Sequence, residues 1–408
     1  MKRKTLITIT AAAAVLTLAG CSGGGSHIPA NLSDDYVDSL KNVNVAERAM
    51  FDRINQYRKA SGLIPFEWNA KLHMAAKAHA NYCDINHHYD HDENPDGKLY
   101  FGSDPQQRVQ NTGYQYYGGE DISFDGWDAN STESGYAEID GLMTAIYHRK
   151  PLISQDLTEV GTGVNDEVGV TGVVDFGRVP KDKKTNYDYV LFPAKNAKNV
   201  VSYFFGESPD PLKDTNAYSS GNPVSIFFKE GCNVKMDTFT LKDINTSHKA
   251  EILKIMTGEN DPNSRFSSCD FALYPKYAMR RGHTYEAVFK YNHTRVIRWR
   301  FQIYTAPPPD GIELKVTKNY QVFKIKNGQK YYLNILPNYE VDEYLNSWTY
   351  EEVDGFDYAH LELNPVSESQ FFTLFSKDNT IDSRSIIVFT DLKDRNGNPL
   401  KIGIIIVR

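Results

Sequence analysis

The sequence predicts an α+β chain whose helices come first, with the remaining two thirds reading as short strands. Three observations lead there. Apolar residues recur at a period near 3.6 in segments before residue 150, they alternate or run in short blocks after residue 220, and two turn-rich stretches separate the blocks.

The chain opens on a processing signal. Met1-Lys2-Arg3-Lys4 is basic, and Leu6 to Leu18 is apolar but too short and poorly flanked for a stop-transfer helix. It ends in Leu18-Ala19-Gly20-Cys21, which resembles a bacterial lipobox. The implied chemistry is acylation of the Cys21 thiol, cleavage before it, and acylation of the new amino terminus. At about 0.8 kcal/mol per buried CH₂, several acyl chains anchor a protein without a spanning helix. Residues 1–20 are therefore expected as the signal, and 21–44 as the acylated cysteine with a tether begun by Ser22-Gly23-Gly24-Gly25-Ser26. Ser22 after the cysteine favours the outer membrane in a cell that has one, with the protein facing periplasm or exterior.

The helical block follows. Val45 to Ala60 places Met50, Ile54 and Tyr57 on one face and stops at Gly62. Asn69 caps a second helix striped by Leu72, Ala75, Ala76, His79, Ala80 and Cys83. Asp104-Pro105-Gln106-Gln107 reads as N-cap, N1 proline and capping-box glutamine of a short third helix. Tyr136, Ile139, Leu142, Met143 and Ile146 stripe a fourth, with His148, Arg149 and Pro151 at its end. Val160–Val164 and Val168–Phe176 then read as a hairpin around Asn165-Asp166-Glu167.

Two β domains are expected beyond. The first module spans 45–205, a linker 206–222, a β-sandwich of immunoglobulin-like wording 223–304, a proline-rich spacer 305–310, and a C-terminal β domain 311–408. Val224–Phe228, Thr284–Tyr291 and Val296–Ile303 are the strands of the middle domain. In the last, Leu314–Ile325 and Tyr331–Leu336 flank Lys326-Asn327-Gly328-Gln329, a hairpin signal, and Lys401–Arg408 closes the chain as a buried strand. Cys232 and Cys269 are expected to pair, closing a 37-residue loop worth roughly 4 kcal/mol in the chain-entropy model. Two buried thiols are the competing arrangement.

Charge narrows the partners. The formal charge is −7, and losing residues 1–20 removes three positive charges and no negative ones. An acidic mature chain with no basic run argues against nucleic acid or anionic lipid surfaces as partners. No Gly-x-Ser-x-Gly elbow, His-Glu-x-x-His, phosphate loop or Rossmann fingerprint occurs. The chemistry-bearing residues are instead spread through the first third: His91-Asp92-Glu93, Arg108, Gly119-Glu120-Asp121-Ile122 and Ala145-Ile146-Tyr147-His148-Arg149. Two imidazoles and a carboxylate with an open position suit a Zn²⁺ or Mg²⁺ ion, and without metal they suit a general-base pair. Mutual hydrogen bonding that only pins loops is the structural alternative.

That ordered series, with Asn55-Gln56-Tyr57-Arg58, Gly62-Leu63, Trp68, His79-Ala80, Gly161-Thr162-Gly163 and Val174-Asp175-Phe176-Gly177, resembles the CAP superfamily (cysteine-rich secretory proteins, antigen 5 and pathogenesis-related proteins) in its bacterial secreted form, over roughly residues 45–180. The resemblance implies an α-β-α sandwich with a cleft lined by two histidines and acids, here His91, Glu120 and His148. Many eukaryotic relatives carry a second acid in the helix before the last histidine; the best-aligned position here is Ala145. Glu93, Glu138 and Asp140 are the substitutes within reach, and Asp121 stands where the family has Asn. His79 reads as a core histidine, His87-His88 as a solvated loop, and Cys83 as an inert buried thiol.

Two functions follow as expectations. One is an envelope-anchored module whose cleft binds a divalent ion or a small lipid or glycan, with the β domains as spacers or adhesion surfaces. The other is an extracytoplasmic hydrolase in which His91, Glu120 and His148 activate water. Anchoring is checked by metabolic labelling with a palmitate analogue: label is expected on the wild type and lost in Cys21→Ala, and an unlabelled wild type contradicts it.

Overall fold

The computed structural model describes residues 43–178, 187–335 and the strands within 340–407. Cys21, the expected signal and the tether as far as residue 42 lie outside the described residues. Among the described residues no helix is long and apolar enough to cross a membrane.

The first module is three layers. Its central sheet has strand order β1-β3-β4-β2, with β1 (Glu67–Trp68), β2 (Tyr117–Ser123), β3 (Glu159–Val164) and β4 (Gly172–Gly177); β1 and β3 are parallel and the other pairs antiparallel. Helix α1 (Val45–Ala60) begins with a complete capping box between Asn44 and Glu47. Helix α2 (Ala70–Asn86) is capped by Asn69, whose side chain accepts from the Lys71 and Leu72 amides. The two lie on opposite faces: Val173 packs with Ala76 and Ala80 of α2, while Val174 and Phe176 join Met50 and Ile54 of α1. Gly161 and Gly163 let α2 approach β3 closely. A Cβ at Gly161 would stand 1.9 Å from the His73 amide nitrogen, and one at Gly163 2.2 Å from that of Lys77.

Helix α3 (Pro105–Asn111) has the expected Asp104 cap and N1 proline. The fourth stripe breaks where a single helix was expected. Helix α4 (Thr132–Thr144) stops at Ala145, which is extended at φ −80° and ψ 119°, and a short helix α5 (Ile146–Leu152) starts anew. His148 therefore sits in the first turn of α5, not in the last turn of α4, so no C-terminal helix dipole favours its charged form.

Next comes a two-sheet body. One sheet orders β10-β11-β8-β5, from β5 (Tyr189–Phe192), β8 (Val224–Phe228), β10 (Ile252–Thr257) and β11 (Asp270–Pro275). The other orders β13-β12-β9, from β9 (Met236–Asp243), β12 (Thr284–Tyr291) and β13 (Arg295–Gln302). A separate antiparallel pair is formed by β6 (Tyr203–Phe204) and β7 (Ser220–Gly221). Cys232 and Cys269 are joined by a disulfide, and Cys83 is free and buried.

The first sheet of this body is buried on both faces, which explains why β8 and β11 are buried at every position. Val190, Phe192, Phe227, Ala272 and Tyr274 belong to the core shared with α1, α4 and α5. Leu191, Ile226, Phe271 and Leu273, one residue out of phase, belong to the sandwich interior around Trp299. The stretch 206–222, expected as a linker, is packed in consequence: Leu212, Ser220 and Asn222 are buried.

The C-terminal strands form two further sheets. The hairpin expected around Gly328 is not a hairpin. β15 (Gln321–Lys326) pairs parallel with the last described strand (Pro399–Val407), and β16 (Lys330–Ile335) pairs parallel with β14 (Ile312–Val316). The turn is present, with Gly328 at φ 70°, but its strands enter different sheets. The chain is α+β, as the sequence predicts.

Candidate functional site

The site grows from one buried ion pair. Arg108 of α3 is fully buried, and its Nη2 donates to both Glu120 oxygens at 2.9 and 2.7 Å and to the His91 carbonyl at 2.9 Å. Glu120 is carried inward by β2 and cannot leave this partner. Its Oε1 also accepts from His91 Nδ1 at 2.9 Å. Burial works against the Glu120 carboxylate, but the His91 hydrogen bond and the His79 and Arg108 charges outweigh it and hold it below the ordinary range. Across the ladder Glu120 faces Asp175, whose carboxyl is pushed well up by burial and then by the Glu120 charge.

A second pair lies opposite. His148 Nδ1 donates to Glu207 Oε2 at 3.0 Å, and the same carboxylate accepts the Ile146 and Tyr147 amides at 2.7 and 3.0 Å. Burial opposes the charged form of His148; the Glu207 hydrogen bond and the Asp121 charge prevail and raise it. In each pair the acceptor is a carboxylate, so Nδ1 carries the hydrogen and Nε2 is the remaining ring nitrogen. Neither Nε2 has a hydrogen-bond partner among the described residues. His91 and His148 line one open cleft of about 350 Å³, with Tyr89, Phe124, Leu142, Ala145 and Glu207 among its walls. The His91 side chain is 44% exposed, whereas Glu120 and Glu207 are each 1% exposed.

The residues expected at the cleft divide. His91 and His148 line it. Glu120 stands behind His91 with both oxygens engaged, so it orients an imidazole and is not open to a ligand. Glu93 is not among the lining residues: its carboxylate is buried, taking His79 Nδ1 at 2.9 Å and the Phe101 and Gly102 amides at 2.7 and 3.3 Å. Asp140 faces away, held by Arg53 and Tyr57. Glu138 is buried against the Asp125 amide. The second acid is Glu207, 59 residues from His148; its lone position before Ser208-Pro209 carries no local signal. His79 is buried as a core histidine, with Nε2 against the Asp90 carbonyl at 3.0 Å. Burial, then the Glu120 charge, pushes the Cys83 thiol up to about 12, which leaves it unreactive. Ser123 and Ser208 line the cleft, but among the described residues neither hydroxyl meets an imidazole.

Among the described residues no group of three or more His, Cys, Asp or Glu is placed to hold a metal ion. What the cleft offers is two oriented imidazoles, each with a carboxylate behind it. That is the supporting arrangement a metal-ligating histidine ordinarily has.

Residues 51–174 match the family model described as CAP, the cysteine-rich secretory protein family, so the chain carries a CAP domain there. Among solved structures, an extracellular protein containing an SCP domain from Bacillus anthracis str. Ames is 23% identical, at a TM-score of 0.28, over 36% of this chain and 45% of that one. The chain thus spans under half of that protein's length. A titin A168–A169 structure is 8% identical over 52% of this chain and 97% of that one, at a TM-score of 0.18. SporoSAG from Toxoplasma gondii is 10% identical over 44% and 85%, at 0.19. At such TM-scores these likenesses carry no argument about function. Among curated proteins none is significantly similar to this chain.

Asp121, in the place of the family's Asn, is buried between the two pairs. Burial is the main cause that raises its carboxyl from 3.8 to about 7; the Glu207 and Glu120 charges add to this and the two histidines oppose it. The folded protein therefore keeps a proton that the unfolded chain has lost between those values, and stability falls as pH rises through that window. Asp121→Asn is expected to match the wild type near pH 4 and to exceed it at pH 8, by on the order of 1–4 kcal/mol in urea unfolding. A difference independent of pH contradicts the assignment.

Proposed function

We propose that the chain is an extracytoplasmic, lipid-anchored CAP-domain protein whose cleft binds a divalent cation or a small envelope ligand through His91 and His148. One observation carries this reading: both imidazoles line one cleft with Nδ1 fixed by a carboxylate. An imidazole pair without an open carboxylate ligand suits Zn²⁺ better than Mg²⁺, which requires oxygen donors. Zn²⁺ would take the two Nε2 atoms, leaving other positions to water or to a lipid or glycan donor. It would supply a Lewis acid in the cleft.

Binding without turnover is the favoured form. No serine or cysteine is activated by either histidine among the described residues, and both carboxylates are committed to holding imidazoles. The Cys21 anchor would place the cleft at the membrane surface, with the β domains as spacers or adhesion surfaces. Hydrolysis, with a histidine–carboxylate pair activating water, is the second reading, since the same pairs are built as general bases.

Calorimetric titration of Zn²⁺ and Mg²⁺ into the wild type and the His91→Ala/His148→Ala double variant decides the first point. Zn²⁺ binding lost in the double variant is expected; equal or absent binding in both proteins removes the cation from the account. Turnover of a peptide, ester or glycan that disappears in Glu120→Gln would favour the hydrolase instead.

A further inference from the structure

The CAP segment does not contain everything its cleft uses. Ala145, the position best aligned with the second acid of many eukaryotic relatives, contributes only a small cleft wall and the break between α4 and α5. The missing carboxylate comes from Glu207, more than thirty residues beyond the matched segment. It is buried, and it accepts three hydrogen bonds at once: two from the first amides of α5 and one from His148 Nδ1. Further moorings of α5 also come from beyond the segment. Tyr147 donates to Asp261, and Arg149 donates to the Pro223 carbonyl at 2.6 Å and to Asn222 at 2.8 Å.

We infer that Glu207 is the positioning residue of the His148 half of the cleft, and that the site is complete only with chain that follows the CAP segment. A carboxylate accepts and cannot donate, so it selects the Nδ1–H tautomer of the neutral ring. The two amide bonds fix where that carboxylate stands, and Nε2 is thereby turned toward a ligand. This inference rests on the reading of the cleft as a cation or ligand site, but it concerns His148 itself and is testable without any ligand. A carboxylate that merely caps α5 would affect stability and leave the ring's tautomer alone.

The test uses the full mature chain, with ¹⁵N-labelled histidine followed by long-range ¹H–¹⁵N correlation at a pH where the rings are neutral. His148 is expected as the Nδ1–H tautomer in the wild type and displaced toward Nε2–H in Glu207→Ala, with His91 unchanged as the internal control. In parallel, Zn²⁺ affinity by calorimetry is expected to fall about 10–100-fold in Glu207→Ala. If Glu207→Ala does not fold, Glu207→Gln, which keeps one acceptor oxygen for the α5 amides, gives the same readouts. A His148 tautomer that is Nε2–H in the wild type, or unmoved in the variant, overturns the inference. So does a wild-type Zn²⁺ affinity retained in the variant. A wild type that binds no Zn²⁺ defeats the cation reading instead, and the tautomer alone then decides the role of Glu207.

Discussion

The buried Arg149 guanidinium ties the molecule together. It lies midway along α5, with no carboxylate among its hydrogen-bond partners in the described residues. It donates instead to the Met143 and Thr144 carbonyls at the end of α4, to the Pro223 carbonyl, to Ser225 and to Asn222, and it rests 3.9 Å from the Phe192 ring centroid. Burial pulls its pKa down to about 9, so a cation held there depends on those acceptors being present together. Removing the guanidinium would strand five buried or half-buried acceptors from both modules, each costing about 1–3 kcal/mol. Chain entering from α4, the helix carrying His148, and two strands of the following sheet are thereby fixed to one point.

Packing reinforces that constraint. A sheet that alternates between two apolar cores cannot separate from either without exposing a full face of side chains. Strands β5, β8, β10 and β11 are in that position, with Phe192 and Tyr274 facing the CAP helices and Leu191 and Leu273 facing the sandwich. The cleft inherits the rigidity. Its His91 wall stands on Arg108 and Glu120 in the CAP domain, and its His148 wall stands on Glu207 and the second body.

Much of the fold was legible because the helical stripes are periodic and their caps are local. Asn69, Asp104 and the Met50–Ile54 face each announce their element from a few residues. The break at Ala145 was not legible, since alanine is the best helix former and its extended backbone there is fixed by tertiary partners of α5. Lys326-Asn327-Gly328-Gln329 announces a turn but not its pairing, because Gly328 sets a local reversal while strand partners are chosen at long range. Of the site, His91, Glu120 and His148 were found through the ordered family resemblance. Glu93 was drawn in by its closeness in sequence to His91, and the fold turns it toward His79 instead. Glu207 was invisible, because 59 residues separate it from the histidine it holds.

The central claim is that the CAP domain and the body behind it form one cooperative unit around a shared core. Urea unfolding of the mature chain, followed separately at Trp68 in the CAP domain and at Trp299 in the sandwich with the other tryptophans replaced by phenylalanine, tests it most directly. Coincident transitions with the same midpoint are predicted. Two resolved transitions, with either domain surviving the loss of the other, would contradict the account.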